Sequence, residues 1–509
     1  MFSNKLLKVY FTKFLGILGS ILSVTIVLPY ISSDVEAYGV YSVVISLIMI
    51  VNFADLGFLG AGQKYAAEYY AKKDLKSEIE VLSFVHFILF IAIIFYSIFL
   101  WSVYFNPYLI FTDLSLEKLN LAKDLILIMI FSSPLVVFKR YISTIYAIRI
   151  EDYINQTIEI IINFIKIFSV FYFFKDNKYD IVGYVLFLQI MNLFSIIVNL
   201  FIIKKIYKYP LIYVIKSFKF NKSIFKLTKK IAFSSLILSI SWIFYYELDP
   251  IYVSKLYSSS IVGFFAIGVT ILSFSRTLMN IVFSPFQAKF NHFRGLNDEK
   301  SLTKIFFQII ELSFPLTLIT TIVLIVVMKP LITSWVGIEY LESVFIGRVL
   351  ITTLFFSFLL SPISYLFFAR EKYFIILINA ISLPVLYLIF FLILQTKFDY
   401  YSLPIAKTLT VFCNVLINLF LLSYLNIENI SSLLKRITIN SIIPLLVLSF
   451  LFYIFEPFWN IGLEKNLINF LQIVSVGGFI GVISISTYYY ININCRTLII
   501  KALYNIYKK

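Results

Sequence analysis

Apolar side chains fall in fourteen long, nearly uncharged runs separated by short polar stretches. Their approximate limits are 9–31, 38–61, 81–103, 123–146, 152–174, 180–203, 231–253, 260–284, 305–328, 342–367, 373–394, 402–424, 439–458 and 467–491. About 20 apolar residues suffice for a helix to cross a bilayer, so the pattern predicts fourteen spanning helices. Pro134 in the fourth and Pro362 in the tenth predict kinks, which spanning helices tolerate. Met1-Phe2-Ser3-Asn4-Lys5 leads into the first run without a small-residue cleavage site, and we read a first spanning helix, not a signal peptide.

Composition sharpens this to an all-α integral membrane protein. Hydrophobic residues make up 61% of the 509 and charged residues 14%, against about 45–50% and about 25% in a soluble domain. With 55 Phe and 36 Tyr, disorder is excluded as well. The net charge of +16 follows from loop asymmetry, so no nucleic-acid partner is expected. With the N-terminus inside, the cytoplasmic pieces, counted with Lys13, Lys139 and Arg140 in the inner parts of their spans, carry 31 Lys and Arg and the opposite side carries 8. Positive charge marks the cytoplasmic side, so both termini are expected there. Trp101, Trp335 and Trp459 fall at the predicted outer interface, where they anchor. Cys413 and Cys495 have neither metal nor redox spacing. No loop can hold a folded soluble domain; the longest, about 204–230, carries nine lysines.

An internal repeat runs through the chain. Gly39 and Gly263 are 224 residues apart, as are Gln63 and Gln287. Asp74-Leu75-Lys76-Ser77 returns at the same spacing as Asp298-Glu299-Lys300-Ser301. Asn106-Pro107 is echoed by Lys329-Pro330, and Arg149 to Tyr153 by Arg370 to Tyr373. Six spans separate the copies, so the repeat is parallel. Residues 1–215 then form an N-lobe of helices 1–6 and 216–430 a C-lobe of helices 7–12; 431–509 add helices 13 and 14 and a tail. Transporters use such repeats, with the substrate site where the halves meet.

Ionisable groups inside spans mark function by default, because burying them in lipid is costly. Arg276 lies deep in the eighth span with Ser273 one turn back and Asn280 one turn on; it faces a cavity or makes an interhelical pair. Asp55 lies beside Asn52 near the inner end of the second span, as an ion-coupling group or a brace of the helix end near Gly57. Asn155, Glu159, Asn163 and Lys166 share one face of the fifth span, and the plain alternative is a Glu159–Lys166 brace. Lys139 and Arg140 point about 100° apart on their helix, so at most one faces a given cavity and the other snorkels. Glu247 and Asp249 are close enough to hold a proton or cation jointly, though Asp249 before Pro250 also shapes a helix exit. Glu311, Arg348 and Lys407 lie near span ends and are read as snorkelling.

Catalytic patterns are missing. His86 and His292 are isolated and read as lying near loops, and no HExxH, CxxC, GxSxG or phosphate-loop motif occurs. The chain is therefore read as no enzyme, without metal or cofactor.

Ala37-Tyr38-Gly39-Val40-Tyr41, Phe53-Ala54-Asp55-Leu56-Gly57 and Gly62 to Glu68 with Asp74 resemble the polysaccharide (O-antigen) flippases of the multidrug/oligosaccharidyl-lipid/polysaccharide exporter superfamily. Asp249, Gly263-Phe264-Phe265 and Trp335-Val336-Gly337 with Tyr340 are similar to later family features. The resemblance implies two six-helix lobes plus two helices, in a bacterial cytoplasmic membrane. It implies export of an undecaprenyl-pyrophosphate-linked oligosaccharide for O-antigen, capsule or related lipopolysaccharide-type glycans. A polysaccharide polymerase and a chain-length regulator are the implied partners. It assigns substrate contact to the cationic positions Lys139, Arg140, Lys166 and Arg276, to which we add Asn280 and Asn52 from their neighbourhood. Proton or sodium coupling is expected at Asp55, Glu159, Glu247 or Asp249. The rivals are a small-molecule antiporter of the same superfamily and, from another class, a membrane-embedded glycan polymerase.

Overall fold

The structure is a computed structural model that describes residues 2–51, 55–112, 114–175, 178–424, 430–459 and 464–497. Among these residues the secondary structure is helical, with no strand. Among the described residues, nine helices are long and apolar enough to cross a membrane, or up to twelve when each bent pair counts as one span. The chain forms two compact units, Met1–Gly263 and Phe264–Lys509.

The first unit opens with α1 (Phe2–Ile31), α2 (Val35–Val51), α3 (Phe58–Ala71) and α4 (Leu75–Phe105). It continues with α5 (Leu116–Ser132), α6 (Leu135–Ile148), α7 (Asp152–Phe173) and α8 (Ile181–Tyr207). Then come α9 (Leu211–Ser217), α10 (Lys222–Trp242), a π-helical turn at Ile243–Glu247, α11 (Asp249–Leu256) and the first turns of α12 (Ser259–Gly295). Helices α3, α4, α6 and α8 enclose a core of Phe58, Leu82, Phe84, Ile142, Tyr146, Ile196 and Ile203. Within the unit, α10 packs on α3 and α11 on α2, and the start of α12 approaches α2 at Gly39 and Gly263.

The second predicted span, 38–61, is interrupted. Leu56 and Gly57 take left-handed backbone angles, φ 51° and 77°, and α3 starts at Phe58. Gly57 fits because a Cβ there would lie 2.3 Å from the Ala232 carbonyl oxygen of α10. A side chain could occupy neither that space nor, without strain, that φ.

The second unit continues along α12 into α13 (Glu299–Trp335), α14 (Glu342–Phe355), α15 (Ser357–Ala369), α16 (Tyr373–Phe398) and α17 (Ser402–Tyr424). It closes with α18 (Ile430–Asn440), α19 (Ile442–Ile454), the short α20 (Glu456–Trp459) and α21 (Leu467–Ile491). Helix α13 is its spine, with α14, α15 and α21 packed against it. Phe314 of α13 meets Phe358 edge-on at 5.0 Å and lies 6.5 Å from Tyr488 of α21.

Both units carry the same local devices. The positive-φ residues Lys73 (59°) and Asn297 (55°) precede Asp74 and Asp298. These aspartates cap α4 and α13 by accepting from the backbone N–H of Ser77 at 3.1 Å and Ser301 at 3.0 Å. Ile150 and Glu371 repeat a second positive φ, 56° and 54°. Just before them, Arg149 pairs with Glu78 at 2.7 Å and Arg370 with Glu299 at 2.9 Å. The pairs α5–α6 and α14–α15 both bend by 46°.

Pro134 sits at the α5–α6 break and accounts for that bend, whereas Pro362 lies inside α15, past the α14–α15 break. Proline lacks an N–H and crowds the carbonyl four residues earlier. For Pro134 that carbonyl belongs to Ile130 and accepts from Ser133 Oγ at 2.9 Å. For Pro362 it belongs to Phe358, where Ser313 Oγ of α13 donates at 3.4 Å. Serine hydroxyls thus serve backbone groups that lipid would leave unsatisfied.

Candidate functional site

The first unit gathers three of the predicted intramembrane charges into a polar seam on α6, α7 and α8. Lys139 enters from α6, Glu159 and Lys166 from α7, and Gln189, Asn192, Ser195 and Asn199 from α8. The α8 residues are spaced by three, three and four, so one helix face carries them all.

Asn192 is the hub. Its Oδ1 accepts from Lys139 Nζ at 2.9 Å and from Lys166 Nζ at 2.7 Å. An ammonium only donates, so the amide oxygen must face the two lysines. The Asn192 Nδ2 then donates to Gln189 Oε1, one turn back on α8, at 2.9 Å. Glu159 lies 3.3 Å from Lys139 and accepts from Ser195 Oγ at 2.8 Å. Asn199 closes the row, donating to the Ser195 carbonyl at 2.9 Å. The Lys139 and Glu159 side chains keep 33% and 27% exposure, so the seam is accessible. Two ammoniums face one carboxylate, which leaves cationic character for an incoming anion.

This corrects the expected Glu159–Lys166 brace. Both residues sit on α7, but Glu159 pairs with Lys139 of α6, and Lys166 turns to α8. Arg140 diverges from Lys139: it is half-buried and lies within electrostatic reach of Asp55. Asp55 accepts from the Leu59 backbone N–H at 3.1 Å, so it caps α3. Asn52 lies outside the described residues.

Glu247 and Asp249 go different ways. Glu247 accepts from Trp242 Nε1 at 3.1 Å, whereas Asp249 is 1% exposed in the first turn of α11, ahead of Pro250. In the second unit, Arg276 of α12 is half-buried and donates to Ser273 Oγ at 3.2 Å. Asn280, one turn on, is exposed.

Other sequence readings change. Glu311 does not snorkel: it is 3% exposed, and its carboxylate accepts from Arg436 at 3.2 Å and Asn492 at 3.0 Å. Lys407 is also buried, with its ammonium 5.4 Å from the Tyr387 ring centre. Arg348 is exposed, as expected. His86 lies inside α4 rather than near a loop, fully buried, with Nδ1 2.7 Å from the Leu82 carbonyl and its ring on Tyr141. Among the described residues, no group of three or more His, Cys, Asp and Glu could hold a metal ion.

Sequence reasoning missed Gln189, Asn192, Ser195 and Asn199. Their spacing along the sixth span was the available signal, obscured because amides and hydroxyls carry no charge. It also missed the buried Glu78–Arg149 pair. Arg149 Cζ lies 4.7, 5.3 and 5.4 Å from the ring centres of Tyr70, Tyr207 and Tyr209.

No protein-family model matches the sequence, and no curated protein matches it. Solved structures do. The lipid II flippase MurJ in an inward closed conformation superposes with a TM-score of 0.65 at 19% identity, over 96% of this chain and 98% of that one. An inward-facing multidrug-resistance MATE transporter of the MOP superfamily gives 0.62 at 14% identity, over 83% and 96%. An outward-facing MATE structure gives 0.51 at 14% identity, over 85% and 96%. The chain therefore has the fold of MOP-superfamily membrane transporters, and it is a multi-pass membrane protein.

Proposed function

We propose that this protein is a flippase for an undecaprenyl-pyrophosphate-linked oligosaccharide, moving the repeat unit from the cytoplasmic to the outer leaflet of a bacterial cytoplasmic membrane. In this reading the chain crosses fourteen times with both ends in the cytoplasm. The observation that carries the proposal is the seam in which Lys139 of α6 and Lys166 of α7 converge on Asn192 of α8. A pyrophosphate-sugar head needs cations and amides on its path, whereas a polyprenyl tail stays in lipid. The likeness to MurJ, a flippase of lipid II, supports a lipid-linked cargo here.

The ammoniums of Lys139 and Lys166 would bind the pyrophosphate by charge-assisted hydrogen bonds. Gln189 and Asn192 would meet sugar hydroxyls. Arg276 and Asn280 of the second unit are proposed as further contacts, with alternating access carrying the head across. The membrane potential, worth about 2.3 kcal/mol per charge per 100 mV, favours outward movement of an anion. Proton or sodium entry at Asp55, Glu159, Glu247 or Asp249 is the proposed additional drive. Delivery to a polymerase and chain-length regulator, for O-antigen, capsule or a related glycan, is the proposed context.

The test is the sidedness of lipid-linked oligosaccharide in cells depleted of the protein. Complete units accumulating on the inner leaflet, cleared by wild type but not by Lys139→Gln/Lys166→Gln, support the flippase. Units that reach the outer leaflet and stay unpolymerised overturn it in favour of the polymerase. Normal glycan with lost efflux of organic cations would favour the antiporter, the reading nearest the MATE likeness.

A further inference from the structure

The segment joining α8 to α10 has a feature that transport of a substrate does not require. With the last turn of α8 and the first turns of α10, residues 204–230 contain nine lysines and no acidic residue. All nine lysines are exposed. Within this segment lies α9, and its outward side is apolar: Ile212 is 73% and Ile215 74% exposed. The other side is tied down. Tyr213 Oη donates to Glu80 at 2.7 Å and Tyr209 Oη to Glu78 at 3.0 Å, both on the first turns of α4. Phe218 packs edge-on against Phe87 at 5.6 Å and Phe90 at 5.8 Å. The helix is thus fixed with its isoleucines turned away from the protein.

Its position along the membrane normal is limited by covalent reach. Only residues 208–210 connect it to α8 and only 218–221 to α10. At about 3.3–3.6 Å per residue, α9 stays within about 10–15 Å of both helix ends. Helix α8 ends there in Lys204 and Lys205, and α10 opens there with Lys222, Lys226, Lys229 and Lys230 before its apolar run. Lysine-bearing helix ends belong at the membrane–water boundary, where long cationic side chains reach the headgroups, so α9 is tethered on that side of the membrane.

We propose that α9 and its flanking lysines are a docking surface for anionic phospholipid headgroups of the leaflet it touches. Ile212 and Ile215 enter the acyl boundary, while Lys208, Lys216, Lys219 and Lys222 hold headgroup phosphates. Isoleucines facing outward beside lysines suit an interface that is apolar below and anionic above. Charge decides the occupant: a row of lysines without one carboxylate is repelled by cationic surfaces and gains nothing from zwitterionic ones.

The experiment uses the full chain with Cys413→Ser and Cys495→Ser, a nitroxide at Ile215→Cys, and nanodiscs of phosphatidylcholine with or without phosphatidylglycerol. The expected result is a label accessible to oxygen and shielded from a water-soluble relaxant only when phosphatidylglycerol is present. Native mass spectrometry of the unlabelled chain should show phosphatidylglycerol retained over phosphatidylcholine. Each change among Lys208→Gln, Lys216→Gln, Lys219→Gln and Lys222→Gln should lower the docked population about fivefold. These lysines are exposed, so an unchanged unfolding temperature shows that folding is intact. A label open to water in both lipids, or shielded equally in both, overturns the proposal. So does retention of lipid that the four substitutions leave unchanged.

Discussion

Gly39 and Ser259 meet backbone to backbone: a Cβ at Gly39 would sit 1.7 Å from the Ser259 carbonyl oxygen. The contact is reciprocal. A Cβ at Gly263 would sit 2.6 Å from the Val35 carbonyl oxygen, and Val35 and Gly39 precede Ser259 and Gly263 by the 224-residue repeat. Gly39→Ala and Gly263→Ala should each destabilise the protein by about 1–3 kcal/mol, because backbone cannot give way as a side chain would. Gly478→Ala in α21, where a Cβ meets nothing within 4 Å, should gain up to about 1 kcal/mol. Thermal unfolding in detergent compares the three.

The Asn192 hub predicts a transport defect without a folding defect. Asn192→Leu removes the acceptor of both ammoniums. Hydrogen bonds to charged groups contribute about 1.5–3 kcal/mol, so glycan export should fall by about tenfold or more. Expression and unfolding temperature should change little, since the seam is partly exposed. Normal export by Asn192→Leu would remove the seam from the substrate path.

The Glu78–Arg149 pair predicts the opposite pattern. Both side chains are almost fully buried, at 1% and 5% exposure. Arg149→Met leaves a buried carboxylate uncompensated and should cost about 3–5 kcal/mol. Glu78→Leu with Arg149→Met should recover most of that loss. A double-mutant cycle on unfolding midpoints measures the coupling, and strict additivity would show that the pair is not coupled.

Asp34 predicts an acid-side loss of stability. Burial raises its carboxyl pKa, but the Ala37 N–H and the Lys118 ammonium outweigh this and hold it below 3.8. A lowered folded pKa gives stability that is present above 3.8 and lost as pH falls through the folded value. Wild type should therefore lose more thermal stability than Asp34→Asn between about pH 6 and about pH 3. Equal slopes would show that Asp34 contributes nothing to this loss.

Much of the fold is legible in local pattern, because hydropathy along a run decides whether it enters lipid regardless of its neighbours. The apolar runs fall on helices, and Pro134 marks the break between α5 and α6, while Pro362 lies in the second helix of the other bent pair. The Asp74 and Asp298 tetrads are matching caps. The break at Leu56-Gly57 was hidden, since it depends on how close Ala232 of α10 comes.

The site divides in the same way. The sequence by itself placed Lys139, Glu159 and Lys166 inside the membrane, where each must find polar company. Only the tertiary structure chose the company. Glu159 and Lys166 are seven residues apart on α7, about 10.5 Å along its axis. That distance left Glu159 to Lys139 of α6 and Lys166 to Asn192 of α8. Glu311 likewise reads as a surface residue until Arg436 and Asn492 come round to it from more than a hundred residues away. Periodicity fixes which face of a helix is polar; which neighbour meets that face depends on packing between helices, and one helix's sequence does not contain it.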